Sequence, residues 1–132
     1  MLARPSAEVA EKSSDGAADT VHSAAERGDV DALQALADAG ADVNERDAEG
    51  MTPLHWAADH GHVQAVQWLA SHAADVSACD DEGQTPLHYA ATCEHKEVCK
   101  LLLAHGADPH LKDSEGATAR SQAPASWTSI WE

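Results

Sequence analysis

The sequence predicts an all-α solenoid of helix-turn-helix repeats, with about three repeats and part of a fourth. A motif, Thr-Pro-Leu-His, occurs at 52–55 and again at 85–88, inside longer matching segments that start at Asp47 and Asp80. A third start of the same kind lies at Asp113, so the starts are 33 residues apart each time. The chain is 43% hydrophobic but only 4% aromatic and has no Phe. Such thin Ala, Leu and Val packing suits repeats that bury their apolar faces against each other.

Each repeat should contain two short helices followed by an extended β-hairpin finger. Thr52 is a suitable N-cap, because its hydroxyl can accept a backbone N–H at the helix start. Pro53 suits the first helical position, where its missing N–H costs nothing. Gly61 is placed to end the first helix, and Val66 and Leu69 carry the apolar face of the second.

The repeat period divides the chain into three parts. We expect a flexible arm over residues 1–14, a repeat domain over residues 15–118, and a capping tail over residues 119–132. The repeats fall at 14–46, 47–79, 80–112 and, in part, 113–118. The first is degenerate, with Asp19-Thr20-Val21-His22 in place of Thr-Pro-Leu-His. A terminal repeat with an atypical sequence is expected, because one of its faces meets solvent.

Two positions depart from the repeat pattern at turns where Gly is expected. Ala73 follows a second helix, so that turn should be strained or reshaped. Glu94 follows Cys93, and we expect the turn to be rebuilt around it. Gly is the residue that adopts positive φ without steric cost.

The fourth repeat starts and then fails, because Pro124 would break a helix interior. A finger and one helical turn should remain, followed by an apolar tail that contains Trp127, Ile130 and Trp131. The preferred interpretation is a cap over repeat three. A free peptide for a partner and the truncation of a longer chain are the alternatives.

Charge and cysteine usage limit the class of partner and the compartment. The formal net charge of −15 argues against nucleic acid and anionic membrane, and favours a basic protein partner. No apolar stretch approaches the length of a membrane span. The three cysteines are an odd number without Cys-x-x-Cys spacing, which favours free thiols in a reducing, intracellular, cytoplasmic setting.

Catalytic and metal sites are not expected. His22, His55 and His88 recur at one repeat position, which favours structural imidazoles bonded to backbone over zinc ligands. The aspartates at 47, 80 and 113 begin the fingers and should bond nearby backbone. There is no nucleophile motif or phosphate loop, so we expect no enzyme activity, no metal and no cofactor.

From Asp15 to Glu115 the chain resembles ankyrin-repeat proteins. Within that superfamily, segments 42–50, 52–56 and 83–94 resemble the ankyrin segment of acyl-CoA-binding domain proteins, with Cys93-Glu94 as the most distinctive shared point. The resemblance implies a scaffold or adaptor that binds proteins through finger tips and the first-helix groove. That family's acyl-CoA site lies in a separate four-helix domain, so no acyl-CoA-binding residue is assigned here. A link to lipid pathways follows from the resemblance only.

The finger tips and the ends of the first helices should carry the partner-binding surface. Trp56 and Tyr89 occupy equivalent positions and are either half-buried packing residues or anchors for a partner. The alternative to an adaptor is a structural subunit of a larger assembly. The expected partner-binding residues are Glu49, Met51, Trp56, Asp59, His60, Asp81, Glu82, Gln84, Tyr89, Thr92 and Glu115.

Overall fold

The computed structural model describes residues 20–131 and shows a stack of short helices. The arm predicted over residues 1–14 and the expected cap position at Asp19 lie outside the described residues. The helices are α1 (Val21–Arg27), α2 (Val30–Asp38), α3 (Pro53–Asp59), α4 (Val63–Ser71), α5 (Pro86–Thr92), α6 (Lys96–Ala104) and α7 (Ala119–Gln122), followed by a C-terminal 3₁₀ helix (Ala125–Trp131) with a kink at Trp127.

The helices form two rows, and the core lies between them. Helices α1, α3, α5 and α7 contact one another in sequence and form the first row. Helices α2, α4 and α6 form the second row, which the 3₁₀ helix extends against α6. Fully buried leucines fill the core with paired alanines that let the first-row helices approach closely: Leu33, Leu54, Leu69, Leu87, Leu102, Ala24, Ala25, Ala57, Ala58, Ala90 and Ala91. The predicted all-α solenoid is confirmed.

The first-row helices begin with reciprocal capping pairs. In repeat two the Thr52 side chain accepts the His55 N–H, and His55 Nδ1 accepts the Thr52 N–H at 3.0 Å. Thr85 and His88 repeat this arrangement in α5. In repeat one the cap is Thr20, paired with Ser23, so α1 starts one residue later than the alignment on Asp19 predicts.

The fingers are tight turns whose two sides are too short to form strands. In repeat two the Asp47 N–H donates to the Met51 carbonyl, and the Gly50 N–H donates to the Asp47 carbonyl, both at 2.9 Å. Within residues 20–131, the β pairing is limited to an isolated antiparallel bridge between Lys112 and Thr118. The hairpin shape predicted from the sequence is therefore present without a β-ladder.

The turn at Glu94 is not rebuilt, so that expectation was wrong. Glu94 adopts φ 63°, close to the φ of 72° at Gly61. Its N–H donates to the Ala91 carbonyl at 3.1 Å, just as the Gly61 N–H donates to the Ala58 carbonyl at 3.2 Å. Glu94 therefore adopts the left-handed conformation of the repeat turn, with the backbone strain that positive φ causes in a residue other than glycine.

Ala73 also adopts a left-handed conformation, with φ 73°. Repeat one holds this turn in place. The Asn44 side chain donates to the Ala73 carbonyl at 3.0 Å and accepts the Asp75 N–H at 2.7 Å. Of the two outcomes expected from the sequence, a strained or a reshaped turn, the structure shows the strained one.

The C-terminal segment packs on repeat three. Helix α7 is a single turn, and Trp127 is only 9% exposed within the apolar core. Ile130 and Trp131 are partly buried against the same core. None of the helices in residues 20–131 is long and apolar enough to cross a bilayer.

Candidate partner-binding surface

Each finger is organised by the carboxylate of its first aspartate. Asp47 Oδ1 accepts the N–H groups of Glu49 and Met51 at 2.9 and 3.0 Å. Asp80 and Asp113 make the equivalent bonds in the next two fingers. The predicted structural role of these aspartates is confirmed.

The surroundings of Asp47 and Asp113 keep both carboxylates ionised. Burial opposes the charge of Asp47, but hydrogen bonds from Met51, Trp56 and Glu49 outweigh it and lower its pKa. The hydrogen bond from the Ala117 N–H lowers the pKa of Asp113 against a smaller effect of burial. These finger aspartates therefore stay charged well below neutral pH.

The aromatic residues of the first row are tied to the same aspartates. Trp56 Nε1 donates to Asp47 Oδ2 at 3.0 Å, and the Tyr89 hydroxyl donates to Asp80 Oδ2. Burial and this bond raise the pKa of Tyr89. Tyr89 also meets the His55 ring edge to face, with ring centroids 5.6 Å apart. Both aromatics are half-buried and pre-positioned, and each keeps part of its surface open to solvent.

The histidines that recur at one repeat position, two of them in capping pairs, link successive repeats. His55 Nε2 donates to the Gln84 carbonyl at 2.8 Å, and His88 Nε2 donates to the Ala117 carbonyl at 3.0 Å. His22 Nε2 lies 2.8 Å from the Glu45 carbonyl and 3.0 Å from the Met51 carbonyl. Burial lowers the pKa of His55, although the bond to Gln84 opposes this shift. The predicted structural role of these three imidazoles is confirmed.

A second pair of histidines links the repeats in the opposite direction. His62 Nε2 donates to the Glu26 carbonyl at 2.8 Å, and His95 Nε2 donates to the Asp59 carbonyl at 3.1 Å. Each ring therefore reaches back to the end of the preceding first helix. The sequence analysis missed this role, although the 33-residue spacing of His62 and His95 is the signal that indicates it.

The structure brings several predicted surface residues together in a concavity of about 320 Å³ between two fingers. Glu49, Asp81 and Glu82 are exposed at its edge, and Met51 and Tyr89 contribute to its wall. Met51 is only 7% exposed, so it offers little surface to a partner. The lining residues are Glu49, Met51, Asp80, Asp81, Glu82 and Tyr89.

The other predicted residues lie outside this concavity. The Thr92 hydroxyl donates to Gln122 Oε1 of α7 at 2.9 Å, and Glu115 is exposed on the last finger. Gln84 is half-buried, and its carbonyl already accepts the bond from His55. The predicted residues therefore form a discontinuous surface, and those at two finger tips line a common hollow.

Asp59 and His60 form a separate polar cluster at the end of α3. Asp59 Oδ1 accepts a hydrogen bond from the Cys93 thiol at 3.3 Å. The His60 ring stacks with the rings of Trp56 and His62, with centroid separations of 6.1 and 6.0 Å. It also lies within 4 Å of Glu26 on α1, with 3.9 Å between Nε2 and Oε2.

The three cysteines are free, and two of the thiols are held in the protonated form. Burial raises the pKa of Cys99 to about 12. Burial and the bond to Asp59 raise the pKa of Cys93. Within residues 20–131, no group of three His, Cys, Asp or Glu side chains is arranged to hold a metal ion.

The stacked capping pairs and fingers define a helical repeat solenoid with a solvent-facing finger row. A family model for ankyrin repeats, in three copies, matches residues 21–113. The chain therefore belongs to the ankyrin-repeat family, whose members are generally protein–protein interaction modules and typically non-catalytic. A search of curated proteins found no match.

Proposed function

We propose that the protein is a non-catalytic adaptor that binds a basic protein or peptide through an acidic strip. The acidic strip consists of Glu49, Asp59, Asp81, Glu82 and Glu115. The observation that carries the proposal is the hollow between the fingers, which three exposed carboxylates line together with Tyr89. A Lys or Arg side chain fits this chemistry, because it can meet carboxylates and an aromatic face together.

The charge around the hollow supports the same partner. None of the residues that line it is basic. Arg46 is not among the lining residues, and its guanidinium is fixed by hydrogen bonds to the carbonyls of Gly50 and Cys79. Exposed charges of one sign raise the association rate with an oppositely charged partner, and salt weakens this effect.

A charge-reversal experiment tests the proposal. The variant combines Asp59→Lys, Asp81→Lys and Glu82→Lys, and the control combines Asp31→Lys, Asp38→Lys and Glu97→Lys on the second-row helices. Binding of a deca-lysine peptide is measured by isothermal titration, with folding checked by circular dichroism. The strip variant should lose roughly tenfold or more in affinity and much of its salt dependence, while the control loses less.

Equal losses in the two variants would show that net charge alone governs peptide binding. Unchanged binding in the strip variant would place the interface elsewhere, with the 127–131 segment as the first region to examine. Either result would contradict the acidic strip.

The folded C-terminal segment favours an adaptor over a structural subunit of a larger assembly. Exposure of Trp127, Ile130 and Trp131 would have indicated a permanent partner, since large apolar patches mark interfaces. Instead Trp127 is buried and the other two residues are partly buried on repeat three. The apolar residues of this segment therefore pack against the core of the stack.

Kinship with acyl-CoA-binding domain proteins is a further proposal about origin, and it assigns no lipid site. It is supported by the Cys93-Glu94 pair, which here forms the turn after α5 and places the Cys93 thiol on Asp59. The free thiols of all three cysteines support the proposed reducing, cytoplasmic setting.

A further inference from the structure

The four first-row helices begin with the same reciprocal cap, but the chemistry of the acceptor at the third helical residue differs. In α1 and α7 the hydroxyl groups of Ser23 and Ser121 accept the N–H of the capping threonine, both at 2.9 Å. In α3 and α5 the acceptors are Nδ1 of His55 and Nδ1 of His88. The outer caps therefore hold no group that titrates near neutral pH, whereas the inner caps do.

The hydrogen-bond partners of His55 fix which ring nitrogen carries the proton. The Gln84 carbonyl can only accept, so Nε2, at 2.8 Å from it, is the N–H donor. Nδ1 is then the unprotonated nitrogen, and it lies 3.0 Å from the Thr52 nitrogen and 2.9 Å from Thr52 Oγ1. The ring is fully buried, and Tyr89 of α5 meets it edge to face. A second ring proton can therefore be added only at Nδ1, inside the cap.

Protonation of Nδ1 would place two donors opposite each other. The Thr52 hydroxyl can rotate and accept the new N–H, but the Thr52 backbone N–H cannot turn away. Because Thr52 is only 2% exposed, its N–H would be left without a partner and shielded from water. The start of the helix therefore has to open before the ring can take up a proton without this penalty.

The electrostatic surroundings of the ring act in both directions. Burial is the largest influence and lowers the pKa of His55. The hydrogen bond to Gln84 and the negative charges of Asp80 and Asp47 oppose this shift. The positive charge of Arg46 adds to it. The closed cap therefore resists protonation, in agreement with its hydrogen bonds.

We propose that His55 makes the start of α3 an acid-sensitive cap. In weak acid the opened start of the helix takes up a proton that the closed cap excludes, so α3 and the finger before it loosen. The serine caps of α1 and α7 have no such response. The inference goes beyond the proposed function, because it holds whichever partner binds.

The sign of the pH dependence follows from the closed cap's preference for the neutral ring. A histidine in an opened or unfolded chain gains its proton near its ordinary pKa of about 6.5. The stability contributed by the cap is therefore fully present above that pH. It is lost progressively as the pH falls below about 6.5, because only the open state then binds the extra proton.

Hydrogen exchange of the Thr52 amide tests the cap in the unmodified protein. Its protection factor is measured by nuclear magnetic resonance at about pH 7.5 and about pH 5.5, on either side of the ordinary histidine pKa. The protection factor should fall severalfold in acid, with about tenfold as the limit for one proton bound only by the open state. A protection factor that does not change would overturn the proposal.

The variant His55→Ser separates this cap from the other histidines. It introduces the residue that caps α1, whose hydroxyl accepts the threonine N–H without titrating. The acid-induced loss of Thr52 protection should disappear in His55→Ser and persist in the control His110→Ser, which changes an exposed histidine. Equal losses in the two variants would assign the effect to other histidines and overturn the proposal.

The ring nitrogen signals of His55 in the unmodified protein give a decision even if His55→Ser does not fold. At about pH 5.5 a free imidazole is mostly charged. The closed protein should instead keep the neutral His55 ring with its proton on Nε2. A ring that becomes charged while the Thr52 amide stays protected would show that the cap accommodates the proton, and would overturn the proposal.

Discussion

The turns at Gly61 and Glu94 occupy equivalent positions and have nearly the same backbone, yet different constraints act on their side chains. A Cβ atom at Gly61 would lie 2.6 Å from His95 Nδ1 and 2.7 Å from His95 Cε1. Gly28, one repeat earlier, is covered in the same way by His62. The chain has no histidine beyond His110, so no equivalent ring covers Glu94.

A turn of this repeat therefore favours glycine for one reason or for two: the backbone has positive φ, and at some turns a neighbouring ring also leaves no space for a side chain. At Gly61 the backbone needs positive φ, and the neighbouring repeat leaves no space for a side chain. At Glu94 the need for positive φ remains, but the side chain is exposed to solvent. The turn after the second helix is open in this sense, because a Cβ at Gly40 or Gly106 would meet nothing within 4 Å. Ala73 occupies the corresponding position of repeat two. Both departures from Gly thus occur at open turns.

The largest expected effect is at the crowded turn. Gly61→Ala should destabilise the protein by about 3 kcal/mol, the sum of left-handed strain and a clash with a packed ring. The measurement is the free energy of unfolding from urea melts. A loss below about 1 kcal/mol would show that the His95 ring moves away freely, since only backbone strain would then remain.

The His95→Ala background isolates the contribution of the ring. Removing the ring should reduce the cost of Gly61→Ala to about 1 kcal/mol, the value expected from backbone strain. The difference between the two costs measures the coupling between residues 61 and 95. Full additivity would contradict the steric explanation.

A smaller effect is expected at the open turn. Gly40→Ala should cost about 1–2 kcal/mol, because φ is 99° at Gly40 and no neighbour lies within 4 Å. The same urea melts measure it, with Ala73→Gly as the control at the equivalent turn. A cost at Gly40 as large as that at Gly61 would remove the distinction between open and crowded turns.

The smallest effect is expected at Glu94. Glu94→Gly should stabilise the protein by about 0.5 kcal/mol, because relief of left-handed strain slightly exceeds the added freedom of the unfolded chain. A clear destabilisation in urea melts would indicate that the Glu94 side chain makes a stabilising contact.

The sequence predicted features that depend on a single repeat and its period. The capping pair of Thr52 and His55, the finger aspartates and the left-handed strain at Ala73 all follow from residue types at fixed offsets. The start of α1 was displaced by one residue, because Thr20 and Ser23 supply a different capping pair from the one expected. The hydrogen bonds of this local capping pair, rather than the repeat alignment, determine where α1 begins.

Features that depend on two repeats at once were harder to predict. The turn at Glu94 was expected to be rebuilt, but it keeps the left-handed conformation of the repeat. The approach of His60 to Glu26 joins residues of different repeats, one of them degenerate, so no repeated pattern indicated it. The residues of the acidic strip were proposed from repeat position, and their role in binding stays a prediction.

The capping histidines also give the stack a direction. Each reaches forward, as when His88 donates to the Ala117 carbonyl, so the donor always belongs to the earlier repeat and the acceptor to the later one. Opening the last finger leaves the fully buried His88 N–H without its acceptor. Opening the first repeat leaves carbonyl groups without their donors, and the donor that loses its acceptor there is the half-buried His62. Buried donors tolerate this less well than carbonyls. Hydrogen exchange should therefore begin at the end that holds acceptors, and the stack should open from its first repeat toward its last.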